Sequence, residues 1–288
     1  MMGSDFKETF MKYVFMFAAS LSVISIILIF YFIFEGGLPF ILEEGVTNFI
    51  FGTEWRPTAS NPKFGILPMI VGSIIVTLGA VIVGVPVGIM TSIFMAHFCP
   101  PNLYRFAKPA INMMAAIPSI VYGFFALQVF VPISRNLLGG TGMNIVTASV
   151  LLGIMILPTI IGLSESSIRA IPRSYYEASV GLGATHERSV MNVVVPAAKS
   201  GIISAVILGI GRAIGETMAV ILVTGNQPVI PSGLNQGVRT LTTNIVLEMG
   251  YASGRHQEAL IATAVVLFIF ILIINAVFMY IKSREGND

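Results

Sequence analysis

The sequence predicts an all-α polytopic membrane protein with six transmembrane helices. Three observations carry that expectation. Of the 288 residues, 55% are hydrophobic and only 10% charged, and mean hydropathy is +0.88, whereas soluble domains carry about 25% charged residues. Apolar runs near the roughly 20 residues a bilayer core requires recur evenly along the chain. A polar stretch, Glu177–Pro196, sits between two of them, and a structured loop of that length in such a chain needs a task. A single membrane domain over residues 1–288 is the economical organisation. It has an N-terminal extra span at 13–34, core spans over 68–281 and a polar insert at 169–200.

The first span, Tyr13–Phe34, is longer than a signal-peptide apolar region and no small-residue cleavage site follows it, so it reads as uncleaved. Residues 35–67 are mixed, and Leu38–Gly52 suggests a short helix lying in the membrane interface. The second span, Pro68–Phe98, contains Gly84-Val85-Pro86-Val87-Gly88, a small-xxx-small pair with a proline that predicts close helix contact and a bend. Arg105 and Lys108 mark a basic loop, and the third span is expected at Pro109–Val131, interrupted at Pro118. A glycine-rich turn at Leu138–Gly142 leads to the fourth span, Asn144–Ser164. The fifth is expected at Gly201–Thr224 and the sixth at Glu258–Ile281.

Basic residues set the orientation. With six spans, one side holds Lys7, Lys12, Arg105, Lys108, Arg169, Arg173, Arg188, Lys199, Lys282 and Arg284. The other holds Arg56, Lys63, Arg135, Arg239 and Arg255, and Arg212 falls within a span. The richer side, with both termini and the Glu177–Pro196 insert, is therefore cytoplasmic.

Several functions are excluded. A net charge of +2 gives no footing for nucleic acid. No G-x-x-x-x-G-K-[ST], H-E-x-x-H or G-x-S-x-G motif is present, so the chain carries no P-loop and no recognisable centre for covalent chemistry. Cys99 is the one cysteine, read as a small buried residue, and His97, His186 and His256 are too scattered in sequence for a metal site.

Within the insert, Pro172 suits a helix start and Tyr175, Ala178 and Leu182 share one face. Gly181 and Gly183 permit a sharp turn. Thr185 is placed to cap a second helix, with Glu187 in its first turn, running through Val190, Val193 and Val194 towards Pro196. This helix–turn–helix suits a groove on a partner, and an ordinary loop with surface helices is the plain alternative. In the fifth span, Arg212 and Glu216 stand four residues apart, on one face of a continuous helix. Charges at that depth usually face a cavity or a partner; they either serve an anion path or neutralise each other in packing. Glu165 is spaced to pair with Arg169.

Glu177-Ala178-Ser179, three residues, Gly183, nine residues and Val193-Val194-Val195-Pro196 resemble the EAA signature of ABC importer permeases, with Ser179, Val193 and Val195 as conservative departures. The resemblance implies a type I ABC importer permease fold, in which residues around 174–186, among them Tyr175, Tyr176, Ala184 and Thr185, form a cytoplasmic coupling helix. Trp55-Arg56-Pro57, Phe64–Pro68, Gly211–Ala219 (which includes Thr217) and Thr240–Ile245 with Glu248, Met249 and His256 resemble the phosphate-specific permeases, the PstC-type subunit in particular. That likeness implies a heterodimer with a PstA-type permease, two ATP-binding subunits holding ATP and Mg, and an extracytoplasmic phosphate-binding protein, in a prokaryotic inner or plasma membrane. No cofactor is expected on this chain. Arg212, with a bidentate donor fork for phosphate, Glu216 and Thr217 are the expected path residues. The outer polar segments 36–67 and 225–257 are the expected docking regions for the binding protein, with Arg239 and Arg255 in the second as candidate contacts or simply solvated. Permeases for sulfate or molybdate share the architecture, and a secondary transporter or channel working without ATP is the alternative of a different class.

Overall fold

The computed structural model describes residues 2–285, with side chains described over 7–277 and at 279 and 280. The side chains of Lys282 and Arg284, counted in the charge asymmetry, therefore lie outside the described residues. The chain folds into twelve helices and one small hairpin among those residues. In order they are α1 Met2–Glu44, α2 Val46–Phe51, β1 Trp55–Arg56, β2 Lys63–Phe64 and α3 Leu67–Phe98. Then come α4 Pro101–Ala116, α5 Ser119–Leu138, α6 Ile145–Arg169, α7 Arg173–Gly181 and α8 His186–Ala197. The last are α9 Lys199–Gly215, α10 Met218–Val223, α11 Leu241–Met249 and α12 Arg255–Glu285. The final turn of α3 (Phe94–Phe98) and the middle of α8 (Val190–Val194) are π-helical. Strand β1 pairs antiparallel with β2, Trp55 opposite Phe64.

Five helices are long and apolar enough to cross a membrane: Lys7–Glu44, Leu67–Phe98, Ser119–Leu138, Ile145–Arg169 and Arg255–Val277. Counting α8 and α9, which meet at 68°, as one broken span gives six. Much of their surface is exposed apolar side chain, as a lipid-facing wall requires.

Helix α6 is the central element, packed against α3 along most of its length. The predicted small-xxx-small pair makes that contact. A Cβ on Gly84 would lie 2.7 Å from the Gly153 carbonyl oxygen, and one on Gly88 would lie 2.7 Å from Ile160. Around this seam Ala80, Leu152, Ile156 and Ile160 are fully buried with Val223 and Val238. A second core joins α1 to α12 and the hairpin through Phe40, Phe49, Trp55, Leu241 and Leu260. A third, of Ile93, Ile168, Val190, Val194 and Ile202, ties α3 and α6 to the insert.

The element boundaries differ from expectation where local chemistry overrides apolar length. Helix α1 runs through Pro39 to Glu44, so Leu38–Glu44 is no separate interfacial helix; only Val46–Phe51 stands apart, after Gly45 at φ 86°. Gly37 lets this part of α1 pack closely on α12, because a Cβ there would lie 2.9 Å from the Ala262 backbone. The expected third span divides. Ile117, preceding Pro118, is extended (φ −67°, ψ 127°), as proline imposes on its predecessor. The apolar span is then Ser119–Leu138, while Arg105 and Lys108 lie on helix α4 and not in a loop. The turn at Gly139, Gly140 and Gly142 has positive φ at all three glycines, and Asn144 caps α6 by accepting from the Thr147 amide at 3.0 Å. Cys99 is half-exposed, not buried.

The expected fifth span is also broken. Helix α9 ends at Gly215, Glu216 is extended (φ −69°, ψ 131°), and α10 starts at Met218. Glu216 is thus off the helix that carries Arg212, and the two are not neighbours on one helical face. Segment 225–257 is not simply a polar loop, since α11 lies within it with Leu241, Thr243 and Asn244 buried.

Candidate coupling surface and translocation path

Both ends of the bundle are marked by polar networks. At one end the hub is Glu165, 1% exposed in the last turns of α6. It accepts from Lys108 Nζ at 2.6 Å, Tyr104 OH at 2.7 Å and Arg169 Nε at 2.9 Å. The expected Glu165–Arg169 pair forms, and two residues of α4 join it. Arg169 also donates to the Met95 carbonyl at 2.7 Å and stacks over the Tyr104 ring at 4.7 Å. The hydrogen bond to Glu165 raises the Tyr104 phenol above its ordinary pKa. A carboxylate so deeply buried needs this many partners.

From this hub the chain turns at Pro172 into α7. Gly183 (φ 87°) reverses it, and Thr185 caps α8 by accepting from the Arg188 amide at 3.3 Å. Two side-chain bonds hold α7 to α8. Tyr176 OH meets His186 Nδ1 at 2.9 Å, and Ser189 Oγ donates to Ser179 Oγ at 2.9 Å. The Ala184 amide closes the turn on the Ser179 carbonyl at 3.2 Å. Val190 and Val194 anchor α8 in the third core. The expected coupling residues Tyr175, Tyr176, Glu177, Ala178, Ser179, Gly183, Ala184 and Thr185 therefore fall on one compact helical hairpin. Pro196 lies at the far end of α8, exposed beside the 68° bend.

One face of that hairpin is a groove of about 490 Å³ lined by Ser174, Tyr175, Ala178, Ser179, Leu182 and Val193. Leu182 is 90% and Tyr175 52% exposed. Glu177 points elsewhere, into a cavity on the opposite face of α7. His97 and His186, far apart in sequence, have ring centroids 6.4 Å apart beside that cavity. Among the described residues no cluster of three or more metal-ligating side chains forms.

Between α9 and α6, half-buried Arg212 reaches Thr159 of α6 (Nη1 to Oγ1, 3.3 Å). No ion pair joins it to Glu216. Glu216 instead accepts the Ala219 amide at 3.3 Å, capping the start of α10, and its carbonyl accepts from Thr242 Oγ1 at 3.2 Å. Thr217 donates to the Gly215 carbonyl at 3.2 Å. Sequence reasoning missed the residues that receive this break. Ser73 accepts the Leu241 amide at 2.9 Å, and Thr240 and Thr243 form a capping box for α11. The polar run Thr240–Asn244 was the available signal, since a T-x-x-T pattern before an apolar turn marks a helix start.

At the other end, Glu248 is the second hub. It accepts from Trp55 Nε1 at 2.9 Å, His256 Nε2 at 2.8 Å and Arg239 Nη1 at 2.5 Å. Arg239 also donates to the Asn226 carbonyl and to Asn244 Oδ1, both at 3.0 Å. Arg239 is thus committed inside the fold, its side chain only 14% exposed, and is not an open docking contact. Arg255 does stand exposed, 3.3 Å from Glu44 and over the Phe40 ring. These contacts gather the segments around 44–64 and 226–256 at one end, and those around 95–108 and 165–190 at the other. Six spans require that segregation.

Comparison with known proteins agrees with this geometry. Residues 84–285 match the family model described as "Binding-protein-dependent transport system inner membrane component". A probable ABC transporter permease, YqgH of Bacillus subtilis, is 39% identical over 86% of this chain and 82% of its own length. The phosphate transport system permease PstC of Pasteurella multocida is 32% identical over 83% of this chain and 82% of its own. Among solved structures, the inward-facing MetNI methionine ABC transporter superposes with a TM-score of 0.57 at 21% identity, covering 77% of this chain and 94% of the other. That likeness establishes the type I ABC importer permease fold. With its helical hairpin exposed at one end and a broken span in its interior, the chain belongs to the binding-protein-dependent ABC importer permeases, the inner-membrane components of those systems, and within them to the PstC type.

Proposed function

We propose that this chain is the PstC-type permease subunit of an ATP-driven phosphate importer, forming one half of the translocation path. The observation that carries the cargo reading is Arg212. It is a guanidinium in the helix bundle whose side-chain partner is a hydroxyl, Thr159, and not a carboxylate. A charge at membrane depth costs about 2.5–3.5 kcal/mol on insertion scales. An anion passing along the path supplies the missing counter-charge, and a planar donor fork suits a tetrahedral oxyanion. The similarity to PstC permeases supports phosphate over sulfate or molybdate, which the guanidinium alone does not distinguish. Glu216 and Thr217 belong to this reading as the residues of the break next to Arg212, not as its ion-pair partners.

In the same reading the α7–α8 hairpin is the coupling segment. The groove at Tyr175, Ala178 and Leu182 is the surface on which an ATP-binding subunit sits, with ATP and Mg held on that subunit and no cofactor on this chain. The remaining partners are a PstA-type permease, a second ATP-binding subunit and an extracytoplasmic phosphate-binding protein. Both termini are cytoplasmic, and the segments near Glu44 and Arg255 face outwards, with Arg255 as the open candidate for contact with the binding protein. Phosphate uptake by reconstituted importer, with sulfate and molybdate as competitors, tests the cargo. Uptake that persists with no ATPase subunit associated would point to a secondary transporter and end the coupling reading.

A further inference from the structure

A cavity of about 420 Å³ lies behind the coupling hairpin, and neither the docking groove nor the path uses it. Its lining includes His97, Arg169, Arg173, Tyr176, Glu177 and His186. Arg173, Tyr176 and Glu177 form one face of α7, opposite the Tyr175–Ala178–Leu182 groove. A partner seated in the groove therefore leaves the cavity open, between the docked helix and the spans.

The polar groups are arranged for an anion. His97, in the last turn of α3, lines the cavity; its Nε2 is buried out of reach of solvent, which leaves Nδ1 as its ring nitrogen towards a ligand. His186 uses Nδ1 on Tyr176 and so keeps its other ring nitrogen for a ligand. Arg173 is exposed on the rim. Pro172 precedes α7 with no side chain capping the helix start, and amides at a helix N-terminus favour negative charge. Arg169 is engaged by Glu165 and the Met95 carbonyl but adds positive field. Glu177 is the one carboxylate of the lining; Arg173 stands against it, Arg169 is already paired with Glu165, and the two imidazoles add neutral N–H donors.

We propose that this cavity binds a phosphate-type oxyanion, either free inorganic phosphate or the headgroup of an anionic lipid. Donors come from both sides: His97 belongs to α3, while Arg173 and His186 belong to the coupling hairpin. A bound oxyanion therefore cross-links the hairpin to the spans and restrains the movement that couples ATP use to transport. The site follows from the cavity alone; its effect on ATP hydrolysis rests on the docking reading.

The test uses the two permeases with their ATPase subunits in nanodiscs, without the phosphate-binding protein, and carries Arg212→Gln in this chain so that the path does not contribute. Radiolabelled inorganic phosphate is titrated in zwitterionic lipid, with and without added phosphatidylglycerol. For free phosphate as ligand, saturable binding weakens by about tenfold or more when His97→Gln and Arg173→Gln are combined, and Arg173→Lys restores part of it. For a headgroup as ligand, phosphatidylglycerol shifts the ATPase rate of the parent complex and not that of the double variant. Co-purification of the ATPase subunits checks that the variants still assemble. If neither phosphate binding nor the phosphatidylglycerol response differs between parent and double variant, the cavity is no anion site. Uptake by a complex retaining Arg212 is measured separately, so failure of the path reading and of this site are told apart.

Discussion

Trp55 donates its indole N–H to Glu248 across 2.9 Å, joining residues 193 positions apart in the chain. That bond pins the β1–β2 hairpin onto α11, and through the same carboxylate onto Arg239 and His256. Removing one member leaves the others buried with unmet polar groups. Glu248→Ala should cost about 3–5 kcal/mol, the usual penalty for breaking a buried charged pair. Trp55→Phe, which keeps the ring and loses one hydrogen bond to a charged acceptor, should cost about 1.5–3 kcal/mol. Thermal unfolding in detergent should rank Glu248→Ala below Trp55→Phe, and both below the parent.

Glu165 makes the second prediction. No residue of α4 is buried, and the side-chain bonds from Tyr104 and Lys108 to Glu165 secure it. Glu165→Ala should release α4, seen as protease cleavage between residues 101 and 118 that the parent resists. Unchanged cleavage would mean that α4 is held by something other than this hub.

Leu182 is 90% exposed in the coupling groove and touches little of its own chain. Leu182→Asp should leave the melting temperature nearly unchanged, as surface substitutions usually do. It should nevertheless abolish co-purification of the ATPase subunit, because a carboxylate would be desolvated at an apolar contact. Retained ATPase at parental stoichiometry would place the docking surface elsewhere.

Arg212→Gln should reduce phosphate uptake by about tenfold or more, the value of roughly one charge-assisted hydrogen bond. Glu216→Gln should be milder, since an amide oxygen still accepts the Ala219 amide and caps α10. Were Glu216 the ion-pair partner of Arg212, the two losses would be similar. Initial uptake rates in vesicles separate the cases.

Gly88→Leu should destabilise the α3–α6 seam by about 1–3 kcal/mol, because even a Cβ there would lie 2.7 Å from Ile160. Gly162→Ala is the matching control on α6. A Cβ at Gly162 meets nothing within 4 Å, and alanine favours the helix.

The apolar character of the spans, the Gly84–Gly88 seam and the α7–α8 hairpin were legible in the sequence because each rests on local chemistry. Apolar length needs no partner, Gly183 supplies its own backbone freedom, and Thr185 caps the helix that follows it through an amide three residues on. The break at Glu216 was not legible. Gly211–Ala219 reads as helix, and the break is met by Thr242, whose hydroxyl donates to the Glu216 carbonyl and which only the fold brings there. The inward pairing of Arg239 was hidden for a similar reason. A basic residue in a polar segment looks solvated until Glu248, nine positions on, turns inwards to meet it. Proline was the opposite case: the interruption at Pro118 was foreseen, but not that α4 would separate from α5 as its own helix.

The 68° angle between α8 and α9 has a mechanical consequence. Two stiff rods meeting that steeply form a bell crank: a push along the first is delivered mainly as a sideways swing of the second, with little sliding. Arg212 rides on the driven arm, thirteen residues beyond its start at Lys199. If the hairpin is the coupling segment proposed above, a stroke received there would sweep the guanidinium across the bundle, in the manner of a turnstile and not of a piston.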